Sequence, residues 1–230
     1  MSRNNAGLST DRIIIEALRI IDGQGLRRLT MRRLGDALEV EAMAVYHHFP
    51  LGKEQLFDAI AAYIIDLDRP APDEEAAAEQ GGEEGDPEDP GDPGERGEEP
   101  EDIPWDERLR AWAHRYRSAL LRHSGALQLL INRRPDTVPA LRSTELLYGA
   151  FAEAGLDGGS VVSAAAAFES YVTGAVVREV RSRGLESPSP AVLDGRFPTV
   201  TALRDVPVDH ARQFDEGLEA LIAALVPVHA

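Results

Sequence analysis

Residues 70–102 divide this chain before any helix is sought. The segment PAPDEEAAAEQGGEEGDPEDPGDPGERGEEPED holds 15 carboxylates against one basic residue, Arg96, and has no aromatic, Val, Leu, Ile or Met. Such a stretch has too little apolar surface to bury against the entropy of ordering it, and is expected to be a disordered linker. Two units should therefore fold on either side of it, residues 1–69 and residues 103–230, the second long enough for a core of its own.

The linker also accounts for the charge. A net charge of −16 looks unsuited to a polyanionic partner, yet the flanking units are each at −1 and residues 1–53 alone are at +2. Screening acts over about 8 Å at physiological salt, so local charge matters more than the total, and DNA is not excluded. The absence of cysteine removes disulfides and thiolate zinc sites. The N-terminal MSRNNAGLSTD has no apolar h-region, and no unbroken apolar run approaches the roughly 18–20 residues of a membrane span. No membrane partner and a cytoplasmic location are the expectation.

Outside the linker the apolar residues recur at helical spacing. Ile13, Ile14, Ala17, Leu18 and Ile21 line one face of residues 10–24, with Thr10 as the expected N-cap. Further helices are expected over 31–38, 42–49, 53–67, 105–123, 125–132, 139–154, 159–183 and 209–226. Strand-like alternation is scarce, so the fold class is all-α. No HExxH, GxSxG, P-loop or GxGxxG pattern occurs and no Cys nucleophile exists, which argues against an enzyme. His47 and His48 point about 100° apart on a helix and cannot chelate one ion. The remaining histidines are scattered, so no metal or cofactor is expected.

The informative stretch is Leu29 to Phe49, LTMRRLGDALEVEAMAVYHHF. Thr30 can cap a short helix through its hydroxyl. Leu34, Ala37 and Leu38 give that helix an apolar face, Val40 falls in a tight turn, and Val45 and Phe49 are spaced i, i+4 on the next helix. Two short helices with small residues near their crossing make a helix-turn-helix, the second helix being the one that enters the major groove.

These residues resemble the TetR family of transcription regulators. The resemblance covers helix 10–24, the Leu29–Phe49 stretch with its Val45-Tyr46-His47-His48-Phe49-Pro50 signature, and Lys53-Glu54-Gln55-Leu56-Phe57 opening the fourth helix. It implies a three-helix DNA-binding unit joined by that fourth helix to a helical bundle that binds a ligand and dimerises. Ala42, Met43, Tyr46 and His47 would face DNA, Lys53 would grip a phosphate, and Arg32 would reach the backbone or a base edge. Two departures stand out. Glu39 occupies the turn position usually held by Gly, where a positive φ costs a non-Gly residue on the order of 1 kcal/mol. Three residues, Pro50-Leu51-Gly52, separate Phe49 from Lys53 where the family typically has two, and Gly52 is the residue able to absorb the excess.

The C-terminal unit resembles the tetracycline-repressor subtype of the same family, through Trp105–Trp112, Tyr116, Ala119–His123, Arg134-Pro135, Gly155-Leu156 and Phe214–Ile222. The resemblance implies homodimerisation through two late helices, here 159–183 and 209–226. Residues 161–177 are apolar or small almost all round, as expected of a helix buried on every face. The tetracycline-binding pattern is altered: Leu130 stands where those members carry a magnesium-binding His, and Arg133 where they carry Thr. The candidate ligand-binding residues are Trp112, Tyr116, Leu130, Arg133, Phe168 and Tyr171, expected to take a largely apolar effector whose acidic group, if any, would lie near Arg69 or Arg133. The function expected is a ligand-responsive regulator, a homodimer released from operator DNA by a small molecule. The alternative is a helical small-molecule or partner-binding module whose helix-turn-helix has lost operator binding, which Glu39, Glu41 and the extra loop residue would favour.

Overall fold

The computed structural model describes residues 8–69, 103–132, 136–183 and 196–226. Among these are ten α-helices and no strand. They are α1 (Thr10–Gln24), α2 (Met31–Ala37), α3 (Ala42–His48), α4 (Lys53–Ile65), α5 (Trp105–Arg122), α6 (Leu127–Asn132), α7 (Val138–Glu153), α8 (Gly158–Ser182), α9 (Pro198–Leu203) and α10 (His210–Leu225). Short 3₁₀ turns occupy Leu26–Arg28 and Ser124–Ala126. The linker 70–102 lies outside the described residues, as does Arg133.

The expected helices are present with small shifts at their ends. Ser9, not Thr10, caps α1: its hydroxyl accepts from the Arg12 amide at 3.1 Å, and Thr10 is already helical. Both residues have the hydroxyl an N-cap needs, so sequence alone did not separate them. Thr30 caps α2 as expected, accepting from the Arg33 amide at 3.1 Å. Helix α4 stops at Ile65, short of Arg69. Helix α9 was not anticipated; Pro198 at its first turn is the one local signal for it.

In the N-terminal unit Ile13, Ala17 and Ile21 of α1 are fully buried against Leu29, Leu34, Val45, Leu56 and Ile60. Each large side chain contributes roughly 1.5–3 kcal/mol by leaving water. The α2–α3 turn depends on two backbone features. Glu39 has φ 58°, so the strain expected at this non-Gly residue is present, and the amide of Val40 reaches back to the Gly35 carbonyl at 2.9 Å. That bond is the six-to-one closure of a helix ending in a left-handed residue, and it offsets the strain. Gly35 itself lies where α3 begins: a Cβ there would sit 3.0 Å from the Val40 carbonyl and 3.2 Å from the Ala42 amide.

In the C-terminal unit α5, α7 and α8 pack on one another and α10 packs on α8. Their shared core holds Trp112 stacked on Tyr116 (4.7 Å between centroids), with Phe168 meeting both Trp112 and Phe151 at 5.8–5.9 Å. Gly217 lets α10 close on α8, since a Cβ there would lie 2.2 Å from the Tyr171 hydroxyl oxygen. That hydroxyl donates to the Phe214 carbonyl at 2.7 Å.

Helix α8 departs from one expectation. Over 18 residues its mean hydropathy is 1.4, so by length and composition it is able to cross a bilayer. Ser, Thr, Glu and Gly interrupt its sequence, which is why no continuous apolar run was visible. Here it is a bundle helix, but only 33% of that window is buried within the single chain. A face of Val162, Ser163, Ala166, Ala167, Ser170 and Gly174 is left uncovered.

Candidate nucleic-acid interface and effector cavity

Helix α3 sorts its residues by burial. Ala44 and Val45 are buried, and Phe49 follows them into the core, whereas Met43 (63% exposed), Tyr46 (39%) and His47 face solvent at i, i+3, i+4. Ala42 is half-buried against Gly35, so its backbone forms part of the crossing as well as the edge of the exposed face. Adjacent His48 is turned inward: its Nδ1 lies 3.4 Å from the Thr10 hydroxyl and ties α3 to α1. Arg32 is exposed on α2, with Arg27 and Arg28 exposed on the preceding 3₁₀ turn.

The loop of three residues before Lys53 is absorbed at Gly52, whose φ of 73° suits glycine. The Gly52 amide donates to the Phe49 carbonyl at 2.8 Å, and the Gln55 carboxamide oxygen accepts from the Leu51 amide at 3.0 Å. A Cβ on Gly52 would touch the Tyr46 ring at 3.4 Å, so Tyr46 lies directly beside the start of α4. Lys53 opens that helix half-buried, its ammonium 4.9 Å from the Phe57 ring centroid. The positive end of the α4 dipole and the Lys53 charge thus lie next to the exposed side of α3, an arrangement suited to a phosphate.

The second site is a cavity of about 840 Å³ between α4, α5, α6, α7 and α8. Ile65, Trp112, Leu120, Leu127, Leu130, Leu147 and Val177 form its apolar wall. Tyr116, Ser143, Thr144, Glu169, Ser170, Thr173 and Asp136 supply polar groups. Burial, and then the nearby Glu169 carboxylate, push the Tyr116 hydroxyl up to about 12, so it remains a neutral donor; its hydrogen bond to Thr173 opposes the shift.

Of the residues expected to line a cavity, Trp112, Tyr116 and Leu130 do so. Phe168 and Tyr171 do not. Phe168 is fully buried among Trp112 and Phe151, and Tyr171 stacks on Phe214 at 5.8 Å beneath α10. Arg69 is also elsewhere: it pairs with Asp11 at 3.1 Å and lies over the Tyr63 ring at 4.4 Å, which fixes it on the outside of α1 and α4. The polar lining on α7 and α8 was not anticipated, because hydroxyls and a lone Glu on such helices read as solvated positions.

Cavity and DNA-binding unit meet along α4, which packs on α5, α6 and α7 and places Ile65 in the wall, and again at one turn. Leu120 and Leu127 line the cavity, and between them the 3₁₀ turn Ser124–Ala126 packs on α1. His123 Nδ1 is 2.9 Å from Asp22 Oδ2, and a Cβ on Gly125 would lie 2.9 Å from the Ile21 carbonyl oxygen. Leu120 and Leu127 are thus joined through this turn to the C-terminal end of α1.

A helix-turn-helix with an exposed second helix, carried on an all-helical unit with an open cavity of small-molecule size, is the arrangement of a one-chain transcription regulator. Family comparisons agree with that class. Residues 13–60 match the bacterial regulatory proteins of the tetR family, and residues 97–227 match the tetracyclin repressor-like C-terminal domain. An HTH-type transcriptional regulator of Saccharopolyspora erythraea is 28% identical over 240 residues, covering 97% of this chain and 87% of that protein. The class D tetracycline repressor protein of Escherichia coli is 26% identical over 220 residues, covering 94% and 88%. A crystal structure of a possible TetR family transcriptional regulator from Streptomyces coelicolor A3(2) superimposes with a TM-score of 0.71 at 25% identity, covering 96% of this chain and all of that one. The chain belongs to the TetR family of bacterial transcription regulators.

Proposed function

We propose that this chain acts as a cytoplasmic homodimeric repressor that binds operator DNA through α3 and is released when a small molecule occupies the cavity. Its two units, residues 1–69 and 103–230, divide these tasks across the acidic linker 70–102. The observation that carries the proposal is the turn His123–Ala126, whose flanking residues line the cavity while it rests on the DNA-binding unit. A ligand favouring a wider cavity would shift α1 with its attached α3, moving the two recognition helices out of register with half-sites about 34–36 Å apart. Glu39 and the extra loop residue, which favoured a module without DNA binding, are both accommodated by local hydrogen bonds. Retardation of the protein's own upstream DNA, reversed by a cavity ligand, is the test; no sequence-specific retardation at 50–200 mM salt would sink it.

The assignment of Tyr46, His47, Met43, Ala42, Arg32 and Lys53 to DNA belongs to the same proposal. Tyr46→Ala should weaken operator binding by roughly 1–3 kcal/mol, the scale of a lost specific contact. Lys53→Ala should weaken binding to all sequences and lower the salt slope by about one. Wild-type affinity in both variants would remove α3 and the α4 start from the interface.

Tetracycline itself should not be the effector. Leu130 supplies no metal ligand on the cavity wall, and no group of three metal-ligating side chains occurs among the described residues. Calorimetric titration should show no magnesium-dependent tetracycline binding at low micromolar concentration; such binding would refute this.

A further inference from the structure

The carboxylate of Glu169 distinguishes this cavity. On the helices around it Glu179 pairs with Arg117 and Arg183, Asp106 with Arg110, and Glu153 with Arg108. Glu169 lines the cavity and has no ion pair or hydrogen bond among the described residues. It sits one helical turn before Thr173, whose side chain bonds the Tyr116 hydroxyl, so carboxylate, hydroxyl and phenol share one side of the space. The rest of the lining is largely apolar, with Leu120, Leu127, Leu130 and Leu147 and with Trp112 stacked on Tyr116. Asp136 adds a second carboxylate at the rim, and no Lys, Arg or His occurs among the described lining residues. The acidic effector group expected near Arg69 has no counterpart there, because Arg69 is held by Asp11 outside the cavity.

We propose that the effector is a planar aromatic cation whose charge is met by Glu169 and whose ring system lies against the Trp112–Tyr116 side of the cavity. This rests on the reading of the cavity as the effector site. A carboxylate beside an apolar wall attracts a cation more strongly than one in water, and it repels an anion by the same field. Trp112 and Tyr116, buried and stacked on each other, belong to the apolar part of the lining on which a ring system would rest. An anionic aromatic of the same shape would meet the wall equally well but find Glu169 unpaired beside its own charge.

The test uses the full chain and two xanthene dyes of similar skeleton and opposite charge, rhodamine 6G and fluorescein, read by fluorescence anisotropy. Rhodamine 6G should bind at least tenfold more tightly than fluorescein. Glu169→Gln should weaken rhodamine about twofold to fivefold, the scale of one exposed charge contact, and leave fluorescein unchanged or tighter. The linker carboxylates attract rhodamine equally in every variant, so differences between variants carry the result. Leu147→Trp fills the cavity and should abolish cavity binding. Thr144→Trp, at a more exposed lining position, does the same without burdening the core, and circular dichroism checks that both fold. Binding lost in the filled variants yet favouring fluorescein, or unmoved by Glu169→Gln, overturns the charge assignment alone. Dye binding indifferent to both tryptophans, or no binding of either dye, overturns the cavity as the effector site as well.

Discussion

Ala167→Arg should convert the protein into a monomer, or a readily aggregating species, that no longer retards operator DNA. Ala167 lies on the uncovered face of α8 with Ser163, Ser170 and Gly174, residues small enough for a second helix to approach closely. A helix with a mean hydropathy of 1.4 that is one-third buried in its own chain lacks a cover, and an apolar face of that length left in water would drive association. On α10 Ala220 and Ala224 are likewise exposed, so the two late helices together offer a self-complementary surface for a two-fold dimer. An arginine at position 167 places two like charges at such an axis and blocks close approach. Loss of one half-site from a two-site contact should reduce operator affinity at least 100-fold, an order-of-magnitude figure from the energy of specific protein–DNA contacts. Ala152→Arg, exposed on α7 away from this face, should remain dimeric. Light scattering that shows a stable dimer for Ala167→Arg, with unchanged operator binding, would move the interface elsewhere.

Gly125→Val carries the second large effect. The new Cβ would lie 2.9 Å from the Ile21 carbonyl oxygen and 3.2 Å from the Asp22 Cα, both backbone atoms that cannot rotate away. Relief requires α1 and the turn to separate, which also strains the 2.9 Å contact between His123 and Asp22. The expected outcome is a folded dimer whose operator affinity without effector is lowered at least tenfold, together with a blunted response to any cavity ligand. His123→Ala removes only the hydrogen bond and should act in the same direction more weakly, by about 1 kcal/mol. Operator binding and ligand response both unchanged in Gly125→Val would show that the turn does not transmit the state of the cavity.

Much of the DNA-binding unit was legible in the sequence because its determinants are local. Thr30 is followed by an apolar i, i+4 pattern, Gly35 and Ala42 leave room at a helix crossing, and Val45 with Phe49 marks the inner face of α3. The positive φ of Glu39 falls at the turn position where the resemblance to the family marks a usual Gly. The cavity was legible only in part, because helical periodicity says which residues avoid water without saying what replaces it. Trp112 and Phe168 are both buried aromatics, yet one faces the cavity and the other the Phe151 side of the core.

The sequence by itself determined that the chain is helical and that Leu29–Phe49 forms two helices, with Val45 and Phe49 on the inner face of the second. Periodicity, capping and composition act within a few residues, and no distant contact is needed to read them. Only the tertiary structure decided which neighbours on α8 do what. Phe168 enters the core, Glu169 faces the cavity and Tyr171 reaches α10. Successive residues on a helix point about 100° apart, so their roles follow from what packs on each side rather than from their own chemistry. The same holds for His123 and Asp22, which are 101 residues apart in the chain and meet because the bundle places the turn between α5 and α6 on the end of α1.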